Sequence, residues 1–185
     1  MFENPSLPSR GLRIASAAAL GAVLVVLGGI AFAAQDKYAV RVPNGLAFSD
    51  FRGYENWQLV SVSQTDDRLK VMLANPTMIA AYQAGIPGNG KKFPDGSKIA
   101  KIRWKPQKNA ESPFPVNVPN SLVAVDFIER DSKRFADSGG WGYAPFNYNA
   151  TSDTFTPNGS GTKCGVACHT AVASKDYIFT AYPKR

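Results

Sequence analysis

The sequence is poor in the side chains that usually build metal and disulfide sites. Its 185 residues include one histidine, His169, and two cysteines, Cys164 and Cys168. One imidazole excludes a metal centre with several histidine ligands, and two thiols exclude a framework of several disulfides. Charged residues are also sparse, at 19%, whereas 44% of the chain is hydrophobic, which excludes a disordered chain. The surroundings of the single histidine are therefore the most informative part of the sequence.

The composition favours strands and turns over helices. The chain has 16 glycines, 13 prolines and 11% aromatic residues, which is typical of a strand-rich protein and argues against a helical bundle. Its length suits one domain, because two separate cores would each be near the lower size limit. We therefore predict an α+β fold, predominantly an antiparallel β-sheet with a few short helices.

Alternating hydrophobic residues place the elements of this fold. Residues 57–63 and 69–74 flank a polar turn, which predicts an antiparallel pair, and Asn75-Pro76 predicts the capped start of a short helix. In the next strand, residues 98–104, alternation puts Lys101 on one face together with Ile99 and Arg103. Further strands are predicted at residues 121–129 and 141–148. The four prolines within residues 106–119 predict an extended linker that joins no central strand.

The N-terminus has the pattern of an export signal. Arg10 and Arg13 precede the uncharged apolar residues 14–34, and the small residues around Phe32 fit cleavage after Ala33. We predict that residues 1–33 are a signal peptide and that the remainder is periplasmic or otherwise exported. An uncleaved anchor is the alternative, because about 20 apolar residues can span a bilayer. In that case the N-terminus would be the only contact with the membrane.

The segment Cys164-Gly165-Val166-Ala167-Cys168-His169 predicts covalent attachment of haem. Two thiols can bond to the haem vinyl groups, and the adjacent imidazole can bind the iron. Three residues separate the cysteines here instead of the usual two. A local disulfide and a zinc site completed by a carboxylate or water are the alternatives. We predict one haem c per chain, with His169 as the iron ligand.

The sixth iron position has few candidate ligands. No second histidine exists, and beyond the predicted signal only Met72 and Met78 carry a thioether. Met72 falls in a predicted strand and Met78 in a predicted helix, where core packing is the expected role. We therefore predict an open distal site, which favours binding or turnover of a small ligand over electron transfer alone.

The sequence beyond residue 53 resembles the cytochrome P-460 family. The pieces that carry the resemblance, in order, are residues 54–57, 75–85, 95–101, 131–136 with Trp141, 164–169 and 175–180. The resemblance implies a mainly β homodimer with one five-coordinate haem c that oxidises hydroxylamine to nitric oxide or nitrous oxide. It also implies a lysine cross-linked to the porphyrin, and Lys101 matches that position, with Lys98 as the fallback. The related cytochromes c′-beta lack the cross-link and bind nitric oxide or carbon monoxide.

Beyond the predicted signal peptide (1–33), the resemblance separates an N-terminal extension (34–53) from a haem domain (54–185). Lys101 has a second interpretation as an ordinary surface or ion-paired lysine. Some family members also carry a carboxylate shortly before the haem motif, but residues 154–163 contain none and Asp153 is the nearest. A third possibility for the function is an exported structural domain that has a disulfide between Cys164 and Cys168 and no haem.

The charge of +7 has two interpretations. The positive charge fits the binding of an acidic redox partner that takes electrons from the haem. Alternatively, the basic residues are simply solvated side chains in loops and at the chain ends. Nucleic-acid binding is not expected, because the chain has an export signal and no concentrated basic helix.

Overall fold

The structure, a computed structural model, describes Met1 and residues 34–43, 45–159 and 162–185. The described residues from 34 to 185 form one compact unit. The predicted signal peptide lies outside the described residues except for Met1, so its cleavage stays a prediction. None of the helices in the described ranges is long and apolar enough to cross a bilayer.

The described part is built around six strands and two α-helices. Their bounds are β1 Gln58–Thr65, β2 Arg68–Ala74, α1 Pro76–Gln83, β3 Lys98–Lys108, β4 Asn117–Arg130, β5 Trp141–Asn149, β6 Thr154–Pro157 and α2 Thr162–His169. Short 3₁₀ helices lie at Lys37–Ala39, Phe48–Phe51, Tyr54–Asn56, Ala136–Ser138 and Thr170–Lys175.

The strands form one sheet in the order in which they occur along the chain, β1-β2-β3-β4-β5-β6, and every neighbouring pair is antiparallel. The predicted α+β class is thus confirmed. Helix α1 also begins where the sequence predicted. The side chain of Asn75 accepts a hydrogen bond from the backbone N–H of Met78 at 3.1 Å, and Pro76 occupies the first helical turn.

Residues 106–119 correct one prediction. Residues 106–108 and 117–119 extend β3 and β4, with Pro106 paired to Pro119, and only residues 109–116 connect the two strands outside the sheet. Strand β2 pairs with β3 only as far as Trp104, and β5 pairs with β4 only from Ala124 onwards. Beyond those points β3 and β4 pair only with each other. Each strand of such a ribbon has one free edge, where a proline breaks no hydrogen-bonded ladder.

The sequence patterns do not predict β6 or the core role of the residues before Tyr54. Val42, Leu46, Phe48 and Phe51 are almost fully buried, although their segment was expected to be an extension of the domain.

Two hydrophobic clusters pack on the sheet. The first joins the segment before β1 to strands β3–β6, and Phe127 is at its centre, stacked on Phe51 at 4.2 Å between ring centroids. The second surrounds helix α1 and includes Trp141, Tyr143 and Ile178. The C-terminal segment therefore packs on the same side of the sheet as α1, and this positions it beside the functional residues.

Candidate functional site: a cavity between the sheet and the C-terminal helix

All four residues singled out by the sequence line one cavity. It has a volume of about 780 Å³, and its walls include Lys101 from β3, Cys164, Cys168 and His169 from α2, and residues 178–181 of the C-terminal segment. Cofactor pockets commonly enclose about 300–1,000 Å³, so this cavity has the size of a cofactor site.

The sheet provides a charged wall. Ile99, Lys101 and Arg103 all face the cavity, as their alternation in the sequence predicted. Asp126 lies opposite Lys101 in the β3–β4 register, and the Lys101 Nζ is 3.1 Å from its Oδ2. Arg103 pairs with the same carboxylate, with Nε 2.9 Å from Oδ2 and Nη2 donating to Oδ1 at 3.0 Å. One carboxylate therefore holds two cations against the cavity.

Helix α2 provides the opposite wall. Cys164 and Cys168 are four residues apart on it, so they share one face and lie about 5–6 Å apart at Cβ. The three-residue spacer thus keeps both thiols on the cavity side. Both cysteines are free. A disulfide needs a Cβ separation of about 3.5–4.5 Å, which an intact helical turn does not give to this pair.

A glycine inside the motif lets α2 approach the sheet closely. A Cβ placed on Gly165 would overlap the ring of Tyr143 in β5. Tyr143 also lines the cavity and lies against His169, with 4.9 Å between their ring centroids. The packing of Gly165 on Tyr143 therefore fixes the distance between the helix that carries the motif and the sheet.

His169 is oriented by a backbone carbonyl. Its Nδ1 lies 2.6 Å from the carbonyl oxygen of Tyr177. A carbonyl only accepts hydrogen bonds, so Nδ1 carries the proton and the lone pair is on Nε2. Burial lowers the pKa of His169; the hydrogen bond to Tyr177 opposes this, and the Lys101 charge lowers the pKa further. The imidazole is thus neutral at pH 7 and suited to be a metal ligand through Nε2.

A buried ion pair holds the segment that supplies this carbonyl. Asp176 and Tyr177 both adopt positive φ angles, 50° and 63°. The Asp176 carboxylate accepts a hydrogen bond from the backbone N–H of Phe93 at 2.8 Å, and its Oδ1 lies 3.3 Å from Nη1 of Arg130. Arg130 also donates to the carbonyl oxygens of Phe93 at 3.0 Å and Gly139 at 2.6 Å. This pair fixes Tyr177 next to His169.

The other candidate residues from the sequence differ in whether they line the cavity. Lys98, the fallback for Lys101, points elsewhere, with its Nζ donating to the Asp50 carbonyl and 3.2 Å from Glu129. Met78 is buried in the core around α1, but Met72 lines the cavity. Asp153 accepts a hydrogen bond from the Tyr148 hydroxyl and is not part of the cavity wall.

Three important residues were not predicted as functional. Asp126 looks like an ordinary strand carboxylate until the register places it opposite Lys101. Asp176 is buried by contacts far away in the sequence. Phe179 lies edge-on to His169, with 4.9 Å between ring centroids. Only the proximity of Phe179 to the haem motif in the sequence was a usable signal.

The comparison with protein families agrees with this geometry. The family model described as Cytochrome P460 matches residues 51–180, and the chain belongs to this family. No curated protein matches the chain. Membership implies a haem cofactor, so the resemblance drawn from the sequence is confirmed at the level of the family.

The donor set in the cavity fits a haem. Two thiols and one imidazole with a free Nε2 line the same space, which also has apolar walls from Ile99, Ile128 and Phe179. Cys164 and Cys168 would hold the macrocycle, and His169 would hold the iron.

Proposed function

We propose that the protein is an exported mono-haem c cytochrome that oxidises hydroxylamine or a related small nitrogen species. Cys164 and Cys168 would hold the macrocycle through thioethers, His169 would hold the iron through Nε2, and Lys101 is the candidate for a further covalent attachment to the macrocycle. The haem supplies a redox-active iron that takes electrons from the bound substrate.

One observation carries this proposal: Lys101 and His169 line the same cavity as both thiols. A lysine on the other face of β3 would have no access to the cofactor, and Lys98 is in that position. The chain's own contribution is to hold His169 in one tautomer and to surround the substrate with a largely apolar cavity.

A second function is favoured by a different observation. Lys101 is 39% exposed and forms an ion pair with Asp126, which is how an unmodified lysine behaves. A lysine that stays in this ion pair makes no cross-link. The protein would then bind nitric oxide or carbon monoxide without turnover, like the cytochromes c′-beta.

Peptide mapping separates the two functions. The protein is expressed with cytochrome c maturation factors, denatured and digested, and haem-containing peptides are identified by mass. We expect the Lys101 peptide to remain joined to the haem, and the purified protein to oxidise hydroxylamine with an artificial electron acceptor. Lys101→Met should lose both properties, whereas the matched variant Lys98→Met should keep them. Haem bound only through cysteines, with no hydroxylamine oxidation, would support the gas-binding alternative.

The open distal position needs its own test, because Met72 lines the cavity. Met72→Leu conserves volume and removes the thioether. If the sixth position is vacant, the ferric and ferrous absorption spectra of Met72→Leu match those of the wild type and show a five-coordinate iron. A low-spin wild-type spectrum that becomes high-spin in Met72→Leu would identify Met72 as a ligand and contradict the proposal.

The homodimer, the acidic redox partner and the periplasmic location remain predictions. Light scattering at low and high protein concentration tests the homodimer, and the salt dependence of electron transfer tests the acidic redox partner. Fractionation of cells that produce the full chain tests the third.

A further inference from the structure

A row of polar side chains crosses one end of the cavity. Ser63 in β1 lies opposite Lys70 in β2, and Lys70 lies opposite Arg103 in β3. All three line the cavity. One hydroxyl and two cations are therefore aligned on three neighbouring strands, facing the space assigned above to the cofactor.

This arrangement is unfavourable without an anion. Like charges directly opposite each other on antiparallel strands are destabilising. Arg103 is neutralised by Asp126, but no carboxylate of the described residues is within ion-pair distance of Lys70, which is only partly exposed. A cation that is partly withdrawn from water without a partner costs free energy. Lys70, which is partly exposed and lies beside the exposed Ser63, is therefore a cation of this row that is open to a negatively charged group.

The charge of the whole wall leads to the same conclusion. Among the described residues that line the cavity, Lys70, Lys101 and Arg103 carry positive charge, and Asp126 is the carboxylate. The excess is two positive charges, and it falls to one if Lys101 forms a neutral amine bond. Lys70 remains without a partner in either case. Lysine and arginine form charge-assisted hydrogen bonds with carboxylates and phosphates alike, and the macrocycle proposed for this cavity carries carboxylates.

We propose that Ser63, Lys70 and Arg103 form an anion site that binds the carboxylate groups of the macrocycle. This inference rests on the proposed attachment of haem at Cys164, Cys168 and His169. A macrocycle tethered in this cavity brings its own carboxylates, so the site needs no free ligand. The row sets the orientation of the macrocycle within the cavity, independently of the thioether bonds.

The test uses the mature holoprotein and compares Lys70→Gln with Lys105→Gln, which removes a charge from an exposed position of β3 outside the cavity. Resonance Raman spectroscopy follows the bending band of the haem propionates, and spectroelectrochemistry gives the reduction potential. We expect Lys70→Gln to shift the band to lower frequency, since a charged hydrogen-bond donor is replaced by a neutral and weaker one. Its reduction potential should fall, since a nearby cation favours the reduced haem. Lys70→Arg should retain the wild-type band.

Each of the following results would overturn the inference. The first is that Lys70→Gln and Lys105→Gln give the same propionate band and the same reduction potential. The second is that the propionate band or the reduction potential of the wild type changes when inorganic phosphate is added to a phosphate-free buffer. That change would identify a free anion as the ligand of the anion site. A purified protein without a Soret band would remove the proposed function itself, and the inference with it. Unchanged haem attachment with an unchanged propionate band would remove the inference alone.

Discussion

The buried pair of Arg130 and Asp176 makes the sharpest prediction about how the site is held. The side chains are 6% and 3% exposed, respectively. Asp176→Asn keeps the shape of the side chain and an oxygen that can accept from the Phe93 N–H, but it removes the negative charge. Arg130 then keeps the carbonyls of Phe93 and Gly139 as acceptors, and the exposed Asp95 carboxylate, 4.0 Å away, is the remaining nearby negative charge.

The expected loss of stability follows from this geometry. Removing one partner of a buried ion pair costs about 3–5 kcal/mol, because the other charge stays buried and uncompensated. The carbonyl acceptors of Arg130 and the retained Phe93 contact place Asp176→Asn at the lower end, at about 3 kcal/mol. The backbone of Tyr177 should also lose its fixed position, and the carbonyl that orients His169 would move with it.

Urea unfolding of the holoprotein, followed by circular dichroism, measures the change in the free energy of unfolding. Asp95→Asn is the matched control, because Asp95 is exposed and its carboxylate is 4.0 Å from Arg130. We expect the control to lose only a small part of the stability that Asp176→Asn loses. The absorption spectrum of Asp176→Asn should also show altered iron ligation. Equal and small losses of stability in both variants, with an unchanged spectrum, would show that the Arg130–Asp176 pair does not hold Tyr177 in place.

Three further variants test the packing. Gly165→Ala should lower the free energy of unfolding by about 1–3 kcal/mol in thermal or urea unfolding, because the new methyl group would overlap Tyr143. This loss is expected although alanine has a better helix propensity than glycine. A more stable variant would contradict the close packing of α2 on the sheet. Phe127→Ala should lower the free energy of unfolding by about 3–5 kcal/mol in the same measurement. Phe114 is 72% exposed, so Phe114→Ala, the control, should change the stability little. Similar losses in the two variants would place Phe127 outside the core. Asn75→Ala should cost about 1 kcal/mol or more, because it removes the N-cap of α1; an unchanged unfolding midpoint would contradict this cap.

Local sequence patterns predicted much of the sheet and one wall of the site. Alternation depends only on the two-residue repeat of a strand, so the common face of Ile99, Lys101 and Arg103 could be predicted without knowing their partners. The Asn75-Pro76 start of α1 is equally local. The cysteine and histidine motif was readable for the same reason, because its residues are neighbours in the sequence.

Features that depend on long-range contacts could not be predicted in this way. Pro106 and Pro119 are tolerated because neighbouring strands end before them, which is a property of the register and not of the segment. Asp126 becomes part of the site only through its pairing with Lys101, and Asp176 only through Arg130, which is 46 residues away. Each of these positions required the topology of the sheet or the packing of the C-terminus.

The central claim is that Cys164 and Cys168 carry the haem whose iron His169 binds. The most direct measurement is the mass of the proteolytic peptide that contains all three residues, taken from denatured protein produced with maturation factors. We expect this peptide to carry one haem through two thioether bonds. A colourless protein whose peptide has two free thiols, or the mass of a disulfide, would contradict haem attachment at Cys164 and Cys168.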